Sequence, residues 1–182
     1  MADQHLTTPE EIRTQRLLLR KPREGDGALV YARYATDPEV RRFLLFPPPK
    51  GPEDSEAFIA RCLQVWEEGS AFPYAIERLE DGLFLGMVEI RMEGFKADIG
   101  YVLARDAWGQ GYGSEAARAV VEWALDQAGI YRVAAFCDVE NPASARVMEK
   151  VGMQYEGLLK RFIIHPNTSS EPRDVLLYAI TK

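Results

Sequence analysis

Asp98-Ile99-Gly100-Tyr101-Val102-Leu103 is followed, after a short spacer, by Trp108-Gly109-Gln110-Gly111-Tyr112-Gly113-Ser114-Glu115-Ala116. A strand pattern gives way to alternating glycines, and these to an amphipathic helix. A helix start carries unpaired N–H groups and the positive end of the helix dipole. Glycines let such a backbone approach an anion closely and take positive φ angles. The stretch therefore reads as a phosphate site, although the same pattern also describes a tight turn with no ligand. A P-loop needs Gly-Lys followed by Ser or Thr, and there is no Lys here. The dinucleotide fingerprint needs G-x-G-x-x-G inside a βαβ unit, whereas this loop is spaced G-x-G-x-G and follows a strand meander. Both nucleotide readings are weakened.

Upstream, Phe72–Glu77, Leu83–Arg91 and Ala97–Leu103 read as three strands. Asp81-Gly82 and Gly94-Phe95 mark the turns of an antiparallel meander. Before them, Arg16–Arg20 is a short strand ended by Pro22. Asp26 is placed to cap a helix, and Asp37-Pro38 repeats that signal. Glu53–Glu68 has an apolar helical stripe through Phe58, Ile59, Cys62, Leu63 and Trp66. Downstream, a helix from Ser114 to Ala128 is expected to bury Ala117, Val120, Val121, Ala124, Leu125 and Ala128, with Gly129 as its terminator. A strand at Val133–Val139, a helix opened by Asn141-Pro142, and strands near Tyr155–Ile164 and Asp174–Ile180 complete an α+β layout.

The chain has 182 residues, enough for one core. Residues 1–13 read as a flexible tail and 14–182 as a single domain. Lys and Arg number 22 against 28 Asp and Glu, so the net charge of −6 argues against a nucleic-acid partner. The two cysteines and two histidines lack metal-ligand spacing, so no metal is expected. No run approaches the length of a membrane span, and the first residues lack a signal-peptide pattern; a cytoplasmic protein is expected. Oligomeric state is open, a homodimer included.

The glycine loop and the strand before it resemble the acetyl-CoA motif of the GNAT superfamily of N-acetyltransferases, in its ribosomal-protein N-terminal (RimJ/RimL-like) branch. Three more segments are similar: Thr14–Arg20 to the opening strand, Asn141–Met153 to the second cofactor segment, and Arg173–Ile180 to the closing strand. The resemblance implies a GNAT-type α+β fold, with a mixed, mostly antiparallel central sheet between helices in three α/β/α layers. It implies acetyl-CoA as cosubstrate and an amine as acceptor. A protein or peptide N-terminus, a small amine or amino acid, and an aminoglycoside-like molecule all stay open, as does a non-catalytic acyl-CoA-binding module.

Residue by residue, the resemblance puts a splayed strand at Val102, Leu103 and Ala104, whose backbone would hold the pantetheine arm. It puts the pyrophosphate on Gly109, Gln110, Gly111, Tyr112, Gly113 and Ser114. Glu115 must then point away from the phosphates. Asn141 and Ser144 match positions near the pantetheine or acetyl group, although Asn141 before Pro142 is also an ordinary N-cap. Two positions depart from the superfamily: Trp108 replaces Arg or Gln, and Met148 stands where many members have a Tyr acid. A thioether cannot donate a proton, which leaves Ser144 as the candidate acid. Asp98 is the first candidate base. It lies about 13 Å along the strand from Val102, so it would act through water. A two-residue turn at Gly94-Phe95 would set Arg91 opposite Asp98, in a pair that weakens the base, and Glu89 opposite Gly100 as the alternative base.

Overall fold

The computed structural model describes residues 8–182. Strands β1 (Glu11–Arg13) and β2 (Leu17–Arg20) precede α1 (Asp26–Val30), which continues into a π-helical turn at Tyr31–Ala35. Helices α2 (Pro38–Arg41) and α3 (Pro52–Glu67) follow, then the meander β3 (Ala71–Arg78), β4 (Phe84–Glu93) and β5 (Lys96–Leu103). A 3-10 turn at Arg105–Ala107 leads into α4 (Tyr112–Asp126). The chain closes with β6 (Arg132–Asp138), α5 (Pro142–Val151), β7 (Gln154–Ile163) and β8 (Arg173–Thr181). All eight strands form one sheet in the order β1-β2-β3-β4-β5-β6-β8-β7, antiparallel except at β5–β6.

Strand alternation sorts the side chains into two layers. Tyr74, Val88 and Tyr101 stand in register on the face covered by α4 and α5. One residue along, Ala75, Met87 and Val102 face α1 and α3. The buried face of α4 is Ala116, Ala117, Val120, Val121 and Ala124, small residues that let the helix lie close to the sheet. This is the expected three-layer α+β arrangement.

Several local readings change. Asp26 does not cap α1; Gly25 occupies that position, and Asp26 is buried in a two-pronged pair with Arg20 at 2.7 and 2.8 Å. Arg20 also reaches Glu77 at 2.8 Å, so the network ties α1 to β2 and β3. Glu11–Arg13, assigned from sequence to the tail, pair with Leu18–Arg20 as an edge strand; residues 1–7 lie outside the described residues. Helix α4 starts at Tyr112 and stops at Asp126, two residues earlier than expected at each end, and Gln127 is already extended.

One irregularity positions the site. β5 pairs with β4 as far as Leu103, and β6 pairs with β8 along its whole length. Between them, β5 and β6 pair only at Lys96–Asp98 with Arg132–Ala134. Beyond that point the sheet opens, leaving Ile99–Leu103 without a β6 partner. Across β5, the chain of β4 is bulged at Gly86 (φ 150°), where a Cβ would lie 2.1 Å from the Val102 carbonyl oxygen. Only glycine lets β4 stay against β5 there.

Candidate active site

The glycine loop turns from the open end of β5 into α4. Gly109 and Gly111 have φ of 74° and 84°, and Gly111 is the N-cap of α4 without any side-chain cap. Glu115 makes the first helical bond, N–H to the Gly111 carbonyl at 3.0 Å. The amides of Tyr112, Gly113 and Ser114 precede it and are the helix's intrinsically unpaired donors. Gly113 serves a different purpose from the other two. A Cβ there would sit 3.3 Å from Leu103 Cδ1 and 3.7 Å from Val147 Cγ2, so this glycine lets α4 close on β5 and α5. The exposed Trp108 donates its indole N–H to the Leu103 carbonyl at 2.9 Å and fixes the end of β5.

The loop is braced from the far edge of the sheet. Glu115 turns away from the amide cluster, as expected, and accepts from Thr14 Oγ1 at 2.6 Å, the Arg16 amide at 2.8 Å and Arg16 Nε at 2.7 Å. Burial alone would raise this carboxyl; the Thr14 and Arg16 bonds hold it below its ordinary value. Arg16 also donates to the Gln110 carbonyl at 3.0 Å and lies over the Tyr112 ring, 4.5 Å from its centre. Thr14 and Arg16 lie in a segment matched from sequence to the opening strand, but nothing local announced that they hold the loop.

The β4–β5 register is the one the Gly94-Phe95 turn predicts: Glu93 faces Lys96, Arg91 faces Asp98, and Glu89 faces Gly100. Arg91 Nε reaches Asp98 Oδ1 at 2.7 Å, and its Nη1 forms a close pair with Glu89. The two candidate bases therefore share one cation. They sit on the α1–α3 face, where Val102 also lies, beside the point at which β5 and β6 part.

The α4–α5 face of the opening carries other chemistry. Asn141 Oδ1 accepts the Ser144 amide at 3.2 Å and caps α5. Its capping role is thus present. Ser144 Oγ lies 2.8 Å from Tyr101 Oη. Cys137, near the end of β6, is buried, and burial pushes its thiol up to about 11. Met148 is buried one turn further along α5. Tyr101 lies within the strand motif, but its partner Ser144 is distant in sequence, and only the fold joins them.

Two loops border the opening from the side of α2 and β7. Asn167 Nδ2 donates to the carbonyls of Arg41 at 3.0 Å and Phe46 at 2.9 Å, and Thr168 bonds the Arg42 carbonyl. Beneath them, His165 is 2% exposed, edge-on to Phe43, with neither ring nitrogen hydrogen-bonded. Its nearest charge is Asp138 Oδ2, 3.6 Å from Nε2. Burial holds the imidazole below its ordinary value, against the pull of Asp138. Asp138 is itself gripped by Arg173 at 2.6 and 2.9 Å and accepts the Glu140 amide at 2.8 Å, which orders the turn into Asn141. Among the described residues, no cluster of His, Cys, Asp and Glu could hold a metal ion, and no helix is long and apolar enough to cross a membrane.

A sheet opened beside a bare helix N-terminus offers a cleft for a long ligand with an anionic end. The chain belongs to the acetyltransferase (GNAT) domain family, whose model matches residues 16–154. It is 35% identical over 173 residues to the N-acetyltransferase YnaD of Bacillus subtilis (strain 168), itself uncharacterized, covering 93% of this chain and 95% of the relative. Two solved structures share the fold. The microcin self-immunity acetyltransferase MccE, in complex with acetyl-CoA and AMP, superposes with a TM-score of 0.86 at 21% identity, covering 96% of this chain and 98% of that one. RimL, a ribosomal alpha-N-protein acetyltransferase in complex with coenzyme A, gives 0.84 at 22%, covering 94% and 98%. The protein is an acetyl-CoA-dependent N-acetyltransferase.

Proposed function

We propose that the enzyme acetylates an α-amine at a protein or peptide N-terminus by direct attack on the acetyl thioester, without an acyl-enzyme. The observation that carries this reading is the shared Arg91 between Asp98 and Glu89 at the mouth of the opened sheet. Two carboxylates held at the mouth offer a proton acceptor to an incoming amine, and the amine best served is one that loses its proton easily. An α-amine, with an ordinary pKa of about 8, is roughly one quarter neutral at pH 7.5; a lysine-like amine is only about 0.1% neutral. That difference of about 200-fold favours the α-amine before any contact with the rest of the acceptor. RimL, whose fold this chain shares, is described as an alpha-N-protein acetyltransferase, which agrees with the reading.

In this mechanism the amides of Gln110 to Ser114 and the backbone of Gly109 hold the pyrophosphate. The edge of β5 at Val102 and Leu103, which has no β6 partner, takes the pantetheine arm. The Asn141 side-chain NH₂, left free by the capping bond, completes that site. Asp98 or Glu89 accepts the amine proton through an ordered water. Ser144 faces the sulfur as the hydroxyl that meets the leaving thiolate. The test is release of free thiol from acetyl-CoA over N-terminal peptides, free amino acids, polyamines and aminoglycosides. Peptides are expected to give the highest kcat/KM. Preference for a polyamine or aminoglycoside at pH 7.5 would defeat the α-amine assignment and favour a small-molecule acceptor.

A further inference from the structure

At the parting of β5 and β6, Tyr101 Oη lies 2.8 Å from Ser144 Oγ and 3.1 Å from the Ser144 carbonyl oxygen. A phenol has one hydrogen and so serves one of these acceptors at a time. When it donates to the carbonyl, the serine hydroxyl can donate back to the phenol oxygen, and its hydrogen is engaged. When it donates to Ser144 Oγ, the serine hydrogen is free to point elsewhere. Burial pushes the phenol up, so it remains a neutral donor at neutral pH. No neighbour offers the same service. Met148 has no hydrogen to give, and the Cys137 thiol is a weak donor.

We propose that Tyr101 is a positioning residue for acetyl transfer: its hydrogen moves from the Ser144 carbonyl to Ser144 Oγ as the thioester breaks, turning the serine hydroxyl toward the departing sulfur. The inference rests on the transferase reading above, with Ser144 facing the sulfur. The amine nitrogen forms the C–N bond, and the C–S bond breaks with its electron pair on sulfur. The thiolate leaves carrying a hydrogen bond from Ser144. The proton that makes it a thiol is the one the amine gives up, so neither hydroxyl is ionised at the end of the cycle. Hydrogen bonds in series polarise one another, and a serine O–H that accepts from a phenol is the stronger donor.

Tyr101→Phe removes one oxygen and keeps the ring. Its kcat, its acetyl-CoA KM and its coenzyme A affinity by calorimetry are compared with wild type, Ser144→Ala and the double variant, using the best amine of the panel. The expected result is a kcat about tenfold lower or more with coenzyme A affinity unchanged. The double variant should be no slower than Ser144→Ala alone, because the phenol acts only through that hydroxyl. A Tyr101→Phe enzyme with wild-type kcat overturns the proposal. So does a Tyr101→Phe loss that persists in full on the Ser144→Ala background, which a purely structural phenol would produce. Should Tyr101→Phe misfold, Ser144→Ala decides alone, and wild-type kcat in that variant overturns the proposal. Wild type that releases no thiol with any amine of the panel would defeat the transfer reading and this inference together; an active wild type with an unimpaired Tyr101→Phe defeats only the positioning role.

Discussion

Glu115→Ala removes the acceptor of three charge-assisted bonds: the Thr14 hydroxyl, the Arg16 amide and the Arg16 guanidinium. The Arg16 side chain is 42% exposed, so its guanidinium turns to water at little cost. The Arg16 amide bond is exposed as well, whereas Thr14 is half-buried, and a bond to a charged group contributes about 1.5–3 kcal/mol. A loss of about 2 kcal/mol follows, or roughly 4–8 °C in Tm for a chain of this size. The pH dependence gives a second reading. The folded carboxyl is held below its ordinary value, so its contribution is present above the unfolded value of about 4.3 and is lost as pH falls through the folded value. Urea denaturation of wild type, Glu115→Ala and Glu115→Gln at pH 7 and near pH 4 measures both effects. Glu115→Gln keeps the shape but not the charge, and its deficit against wild type should shrink at the lower pH. A Glu115→Ala cost below about 0.5 kcal/mol at pH 7, or a Glu115→Gln deficit that does not shrink, would refute the reasoning.

Other outcomes follow from the same geometry. Asp98→Asn should lower the rate most at low pH while leaving acetyl-CoA affinity intact. Arg91→Met should release Asp98 and Glu89 from their shared partner and lower kcat/KM; wild-type kcat/KM in both variants would remove this cluster from the mechanism. Gly109→Ala adds a methyl to open space at φ 74°, so it tests backbone conformation alone. The strain of about 1 kcal/mol or more should weaken coenzyme A binding about fivefold or more, read by calorimetry. His165→Phe should flatten stability over the pH range just below about 6.5. The folded imidazole lies below its ordinary value, so the unfolded chain binds the proton first and wild type loses stability as pH falls through that window. Parallel denaturation curves for the two proteins across it would show that His165 does not titrate on unfolding.

What was readable in the sequence was local or periodic. The Gly94-Phe95 turn set the Arg91–Asp98 register because a two-residue hairpin leaves one way to count outward. Asn141 before Pro142 marked the start of α5 because a cap and its helix are adjacent. The misreadings have the same root. Asp26 has the composition of a cap, yet a buried Arg20 takes its carboxylate, and only the fold brings that partner close. Gly113 has, beside its place in the glycine loop, a packing role against Leu103 and Val147 that the sequence does not announce. The grip of Thr14 and Arg16 on Glu115 spans the chain from its opening strand to α4, and the Tyr101–Ser144 pair joins a strand to a later helix. No spacing rule reaches contacts of that kind; they depend on which strands become neighbours.

In the proposed mechanism the opened sheet lets two proton movements proceed without interference. Asp98, Glu89 and Arg91 occupy the α1–α3 face, and Tyr101 and Ser144 the α4–α5 face, because odd and even positions of β5 point to opposite sides. Were β5 and β6 paired throughout, a wall of backbone would separate the two groups. Pairing that stops at Asp98 and Ala134 opens the gap from Ile99 onward, beside Asp98 and level with Tyr101. In the proposed mechanism an acceptor amine loses its proton on the acidic side while the sulfur gains its hydrogen bond on the hydroxyl side, with the acetyl carbon between them. The bulge at Gly86 belongs to this arrangement. It lets β4 follow β5 closely up to Val102 and Leu103, so the strand edge that lines the gap is held rigidly from behind. A larger residue at Gly86 should therefore impair turnover without touching either proton group, through the position of β5 alone.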